Sequence, residues 1–269
     1  MAVTEFQSRI LQLLAGSRIK HGESYVAGGL ALNLHLKTSR ISHDIDIFND
    51  SQEALKHSWE SDRQTLLADG YEVELGRERT FFVEATVRKN GHSTDIQWAQ
   101  DSAYRFFPLL RDDLMGLTLH PFDLAANKLL ALVGRDAPRD WVDTIECCQQ
   151  LQPLPYLAWA ACGKDPGFSP AMILEFAARV RYNQVELDRV VTSDPKPDAS
   201  ALCRFWHLAI ATARKTLPLL PPEHAGTCVA TESGDLFRGS DDDLLAALAA
   251  GTIRFHEGRI GGAWPTVRG

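Results

Sequence analysis

Residues 25–50 read YVAGGLALNLHLKTSRISHDIDIFND, and this stretch decides the fold. A short apolar strand meets Gly28 and Gly29, LALNLHL keeps its apolar residues at helical spacing, and DIDIF returns to strand. Side chains alternate along a strand, so Asp44 and Asp46 project from one face, roughly 6 to 7 Å apart at the backbone. Two like charges held so close repel unless a cation or a proton lies between them. A hard divalent ion such as Mg²⁺ suits the pair, because it takes oxygen ligands and keeps room for water and phosphate. Gly28 and Gly29 let backbone approach a phosphate closely, and the helix that follows offers N–H groups to an anion. A D-x-D alone also fits a solvated strand or a turn. Here Ile45, Ile47 and Phe48 place the carboxylates near a core edge, where charge without a partner is costly.

Outward from this stretch, residues 4–18 have helical spacing, and residues 51–69 read as a helix opened by Ser51 and closed near Gly70. The period then becomes two. YEVELG, RTFFVEATVRK and HSTDIQWAQ are expected strands, the last two joined by a turn at Asn90-Gly91. Asp95 lies on the third. If that strand neighbours the DID strand, three aspartates could hold two metal ions, an arrangement suited to in-line displacement at phosphorus. HPFDLAANKLLALVGR, with Pro121 in its first turn and Gly134 near its end, and RDWVDTIECCQQL are expected helices. The order implies an α/β (α+β) core on a small mixed sheet, residues 1–150. Residues 151–269 are expected to form a mainly helical C-terminal domain with a short α/β tail. DPGFSP and SDPKPDAS (residues 193–200) interrupt its helices as loops, and the acidic triplet at 241–243 opens a helix.

The bulk properties narrow the classes. The chain has 269 residues, 45% of them hydrophobic and 23% charged. No apolar run approaches the roughly 18 residues needed to span a bilayer, and the N-terminus lacks the apolar core of a signal peptide, so the expectation is cytoplasmic, with no membrane partner. Cys147, Cys148, Cys162, Cys203 and Cys228 are odd in number and form no CxxC pair, which suggests reduced thiols without a disulfide framework or zinc site. A net charge of −7 argues against a chain that grips nucleic acid over its whole surface, although a local basic groove is compatible with it.

The segments GG-x-ALN-x-H and R-x-S-x-D-I-D-I-F, followed by HPFDLAANKLLAL and GRDAPRDWVDTIE, resemble the AbiEii/AbiGii toxin family of the DNA polymerase β-like nucleotidyltransferase superfamily. The resemblance covers roughly residues 20–150. It implies a polymerase β-like core in which Gly28 and Gly29 face phosphate and Ser42 faces the triphosphate. Asp44 and Asp46 are implied as metal ligands, and Asp95 as a third carboxylate that binds metal or acts as general base. Lys128 is implied to meet the nucleotide's phosphates, and Asp143, with Arg139 and Asp140, to shape the nucleotide site. It further implies two Mg²⁺ ions, an NTP substrate, RNA (particularly the tRNA 3′ end) or a protein side chain as acceptor, and an antitoxin encoded nearby.

Residue-level alternatives stay open at this point. Lys128 lies on an apolar helical stretch, where a lysine often snorkels to water. Arg139 and Asp143 are spaced for a surface ion pair. His35 and His43 read as structural hydrogen-bonders, Arg40 as able to touch phosphate but equally as an unremarkable exposed arginine ahead of a strand, and Trp206 and His207, with Leu208, as core. FHEGRIGGAWP, near the C-terminus, does not follow a strand and open a helix, so it is not a dinucleotide motif. The expected activity is transfer of a nucleoside monophosphate to an acceptor hydroxyl with release of pyrophosphate. A small-molecule acceptor and an inactive nucleotide-binding module are the alternatives. A modest surplus of Lys and Arg between residues 160 and 215 is the sequence's own hint of an RNA acceptor.

Overall fold

A computed structural model describes residues 3–190, 192 and 196–265. Of the loop expected at 193–200, residues 193–195 lie outside the described residues. The chain forms two compact units, residues 1–103 with 108–120, and residues 104–107 with 121–269.

The first unit opens with α1 (Glu5–His21), where Thr4 and Gln7 make a capping box, and Gly22 ends the helix in a left-handed conformation. It ends three residues later than the spacing implied, because Gly16 is tolerated inside the helix. Then follow β1 (Ser24–Ala27), α2 (Gly28–Leu36), β2 (Asp44–Asn49) and α3 (Gln52–Ala68). Ser51 caps α3 by accepting from the Ala54 N–H at 3.1 Å. The three expected strands are β3 (Glu72–Arg79), β4 (Phe82–Lys89) and β5 (His92–Gln100), with Asn90 and Gly91 both at positive φ in the turn. Strand β6 (Tyr104–Arg105) belongs to the second unit, and the first closes with β7 (Leu110–Asp112) and β8 (Gly116–Thr118).

Among the described residues these strands make a seven-stranded sheet in the order β3-β4-β5-β2-β1-β8-β7. It is mixed: β2 runs parallel to β5 and β1 parallel to β8, while the other pairs are antiparallel. Its buried face sets Ile45 beside Ile96 and Ile47 beside Trp98, with α1 and α3 packed against it. A buried charge pair ties those layers together. The Arg18 guanidinium meets Asp62 at 2.9 Å, and Trp98 Nε1 donates to the same carboxylate at 2.9 Å.

In the second unit, α4 (Pro121–Arg135) and α5 (Pro138–Gln150) pack on one another. They are followed by α6 (Leu154–Ala161), α7 (Pro170–Ala177), the single turn α8 (Gln184–Leu187) and α9 (Ala199–Thr216). The tail adds β9 (Cys228–Thr231), α10 (Asp241–Ala250), β10 (Ile253–His256) and β11 (Arg259–Ile260). β9 pairs with β10 and β11 with β6, both antiparallel. Tyr156, Trp159, Val229, Phe237 and Leu244 build a core between α6 and the tail. As expected, the acidic triplet opens α10, where Ser240 and Asp243 form a capping box. Trp206 is buried, but His207 and Leu208 are exposed: they fall on the solvent side of α9, so the core expectation holds for the tryptophan alone. No helix of the described residues is long and apolar enough to cross a membrane.

Candidate active site

Strand β2 alternates half-buried Asp44, Asp46 and Phe48 with buried Ile45, Ile47 and Asn49, so the two aspartates share the face opposite the buried one. The parallel register sets Asp44 beside Asp95 and Asp46 beside Gln97. Adjacent strands are about 4.8 Å apart, so the Asp44 and Asp95 backbones are neighbours. The Asp44 carboxylate accepts from the Ser42 hydroxyl at 2.9 Å, and exposed Asp95 accepts from the Thr86 hydroxyl at 2.7 Å. Ser42 is itself buried, and its carbonyl accepts from Gln7 Nε2 at 3.0 Å, which fixes the loop leading into β2.

The two glycines sit where two side chains of the protein need space. Gly28 opens α2 at φ 65°, and a Cβ there would lie 1.7 Å from Asp46 Oδ2. A Cβ on Gly29 would lie 2.1 Å from Arg40 Nη2 and 3.4 Å from Ser42 Oγ. Asp46 and Arg40 thus pack directly on the start of α2, a helix whose N-cap residue, Ala27, makes no side-chain cap. Arg40 corrects the sequence reading: it is 5% exposed, with its guanidinium against the glycine loop. Spacing by two does not reach it, because β2 begins only at Asp44 and His43 forms a bend before it.

The donor set fits a hard divalent cation. It consists of carboxylate oxygens on two adjacent strands, with a hydroxyl beside them and no sulfur or imidazole ligand. Among the described residues, however, no three His, Cys, Asp or Glu side chains are already gathered at ligating distance. Asp44 and Asp46 share one face of β2, and Asp95 is in register beside them with its carboxylate turned to Thr86.

In the second unit, Lys128 and Asp143 come together with Asp140. The Lys128 ammonium lies 3.0 Å from Asp140 and 3.2 Å from Asp143, and all three side chains are at most 8% exposed. Arg135 adds two bonds to Asp140, from Nε at 2.6 Å and Nη2 at 2.9 Å. Burial alone would raise the Asp140 carboxyl, but the Arg135 bonds and the Lys128 charge outweigh it and hold the group below its ordinary value. Lys128 therefore does not snorkel. It occupies a core-facing position of α4 and joins α4 to α5. Nor do Arg139 and Asp143 form the expected surface pair, since Arg139 is exposed and Asp143 buried. His35 meets Thr118 at 3.4 Å, with burial lowering its pKa against a smaller opposing influence from Asp112. The buried thiols are pushed up, Cys148 to about 12, so Cys147, Cys148 and Cys228 are protonated at neutral pH.

The family profile described as nucleotidyl transferase AbiEii toxin of type IV toxin–antitoxin systems matches residues 12–164. The chain belongs to the AbiEii nucleotidyltransferase toxin family. It is accordingly a nucleotidyltransferase, and family membership implies an NTP substrate, a divalent metal and an antitoxin partner. No curated protein matches it in sequence. Among solved structures it is similar in fold to JHP933 from Helicobacter pylori, with a TM-score of 0.52, 13% identity, and coverage of 81% of this chain and 95% of that one. It is also similar to MenT4, a nucleotidyltransferase toxin from Mycobacterium tuberculosis H37Rv, with a TM-score of 0.54, 14% identity, and coverage of 81% and 85%.

Proposed function

We propose that this AbiEii-family chain is a Mg²⁺-dependent enzyme that moves a nucleoside monophosphate from an NTP to a hydroxyl of RNA, such as the tRNA 3′ end, and releases pyrophosphate. The observation that carries this reading is the parallel register of Asp44 with Asp95, with Asp46 on the same face and the start of α2 alongside. Asp44, Asp46 and Asp95 would hold two Mg²⁺ ions, which supply charge neutralisation and activation of the attacking oxygen. The first N–H groups of α2, at Gly28 and Gly29, and the Arg40 guanidinium receive the triphosphate. Ser42 orients Asp44, and Asp95 takes the proton of the acceptor hydroxyl when it is not engaged as a ligand. Asp143 shapes the nucleotide site. Lys128 meets phosphate only by exchanging one of its two carboxylate partners for it. In sequence terms the catalytic core is residues 1–150, with 151–269 as the following domain. MenT4, a toxin by its name, supports the toxin-like assignment.

Incubation with Mg²⁺, NTPs labelled at the α-phosphate and total tRNA tests this. Label is expected in the RNA, lost on chelation and lost with Asp44→Ala/Asp46→Ala. Label confined to a small molecule such as an aminoglycoside would refute the RNA acceptor. Calorimetry that detects no NTP binding, with or without Mg²⁺, would refute the activity itself.

A further inference from the structure

The tail segment FHEGRIGGAWP, which the proposed function does not use, builds a defined feature of the second unit. Trp264 is 59% exposed, whereas Trp98, Trp141, Trp159 and Trp206 are all buried. Exposing so large a ring forgoes much burial, and here the ring does not dangle. Its centroid lies 6.0 Å from that of buried Phe107, which in turn packs at 5.1 Å on His256 and 5.6 Å on Phe122. The neighbouring backbone is stitched down as well. The Ala263 N–H donates to the Phe106 carbonyl at 3.1 Å, and Arg259 and Ile260 pair with Arg105 and Tyr104. His256 Nε2 lies between two carbonyl oxygens, of Phe106 at 2.8 Å and Ala263 at 3.0 Å, so that nitrogen carries the proton and the ring is locked.

Trp264 lines a concave cavity of about 350 Å³ together with Arg254, His256, Glu257 and Arg259. Arg254 is paired with Glu232 at 2.6 Å, so among the described residues the exposed Arg259 is the principal cation of a rim that also carries the acid Glu257. We propose that this cavity binds single-stranded RNA, with one base stacked on Trp264 and the adjoining phosphate on Arg259. An aromatic platform beside an arginine is the sequence-tolerant element of single-strand binding, because every base has a π face and every linkage one negative charge. A free NTP would need more positive charge around its triphosphate than Arg259 supplies. The proposal rests on the reading that the acceptor is RNA, and assigns the second unit a part in holding it.

The test uses the full chain and a fluorescein-labelled single-stranded decaribonucleotide, read by anisotropy at two salt concentrations. Trp264→Ala is expected to weaken RNA binding about tenfold, and Trp264→Phe to stay within about threefold of the unaltered chain. Arg259→Ala is expected to weaken binding and reduce the salt slope by about one phosphate contact. The tryptophan emission of the unaltered chain should be quenched by the oligonucleotide, and the quench should be missing in Trp264→Phe. ATP binding, measured by calorimetry on the same proteins, should be unchanged. RNA affinity unchanged in Trp264→Ala overturns the proposal and leaves the platform to a protein partner, and so does failure of the unaltered chain to bind the oligonucleotide. Equal loss of ATP and RNA binding in Trp264→Ala also overturns it, since the ring would then serve the nucleotide. In each case ATP binding and pyrophosphate release by the unaltered chain report separately on the nucleotidyl-transfer reading.

Discussion

Each unit of this protein gathers carboxylates, and the two gatherings are opposite in kind. On β2 and β5, the carboxylates of Asp44 and Asp95 are half-buried or exposed and are met by neutral hydroxyls. Between α4 and α5, Asp140 and Asp143 are buried and met by an ammonium and a guanidinium. Compensated charge in a dry interior first of all holds helices together, because removing one partner strands the other, and the nucleotide-site role proposed for Lys128 and Asp143 is added to that structural one. Carboxylates on an accessible face, answered by hydroxyls, keep their capacity for a cation that comes and goes.

The comparison breaks if the two clusters respond alike to mutation. Lys128→Ala should destabilise the chain by about 3 to 5 kcal/mol, since it leaves Asp140 and Asp143 without their shared cation, and urea unfolding reads this directly. By contrast, Asp44→Asn/Asp46→Asn should shift unfolding by less than about 1 kcal/mol while abolishing label transfer, because half-exposed charges that repel one another contribute little to stability. A collapse in stability for the β2 pair, or near-neutrality for Lys128→Ala, would reverse the assignment of structural and chemical roles.

Gly28→Ala sharpens the first cluster. The new methyl group meets Asp46 at a position that also has positive φ, so a stability loss of about 1 to 2 kcal/mol should accompany the loss of transfer. Gly29→Ala should be milder in stability, because what it meets is the far end of the Arg40 side chain. Equal effects at both glycines would show that Asp46 can swing away.

The smallest effect is in pH. The folded state holds the Asp140 carboxyl below its unfolded value of 3.8, so the group's contribution is fully present above that value. It is lost as pH falls through the depressed folded value. Unfolding free energy measured from pH 6 down to pH 2 should therefore fall more steeply in the unaltered chain than in Asp140→Asn over the acid end of that range. Parallel curves would mean that Arg135 and Lys128 do not hold the carboxylate.

Much of the first unit was legible because its signals are local. The alternation of DIDIF, the Ser51 cap and the Asn90-Gly91 turn each depend on a few adjacent residues. β7 and β8 escaped because three-residue strands in LLRDDLMGLT carry no readable alternation, and the pairing of β8 with β1 is set by tertiary contact. Parity pointed to the facing of Asp44 and Asp46, whereas Arg40 lies ahead of the strand, beyond a bend at His43, where no alternation settles its direction. The burial of Lys128 was harder to foresee. A lysine among leucines reads as a snorkelling side chain until Asp140 and Asp143, on the next helix, are seen to face it.

The parallel pairing of β2 with β5 also bears on how the chain acquires its site. Parallel neighbours cannot be joined by a tight turn, and here the connection runs through α3, β3 and β4. The β3-β4-β5 meander can form from nearby residues, whereas Asp44 and Asp95 become neighbours only after a long loop has closed, which is slow. A ribosome-bound chain therefore cannot set Asp44 beside Asp95 until β5 has emerged.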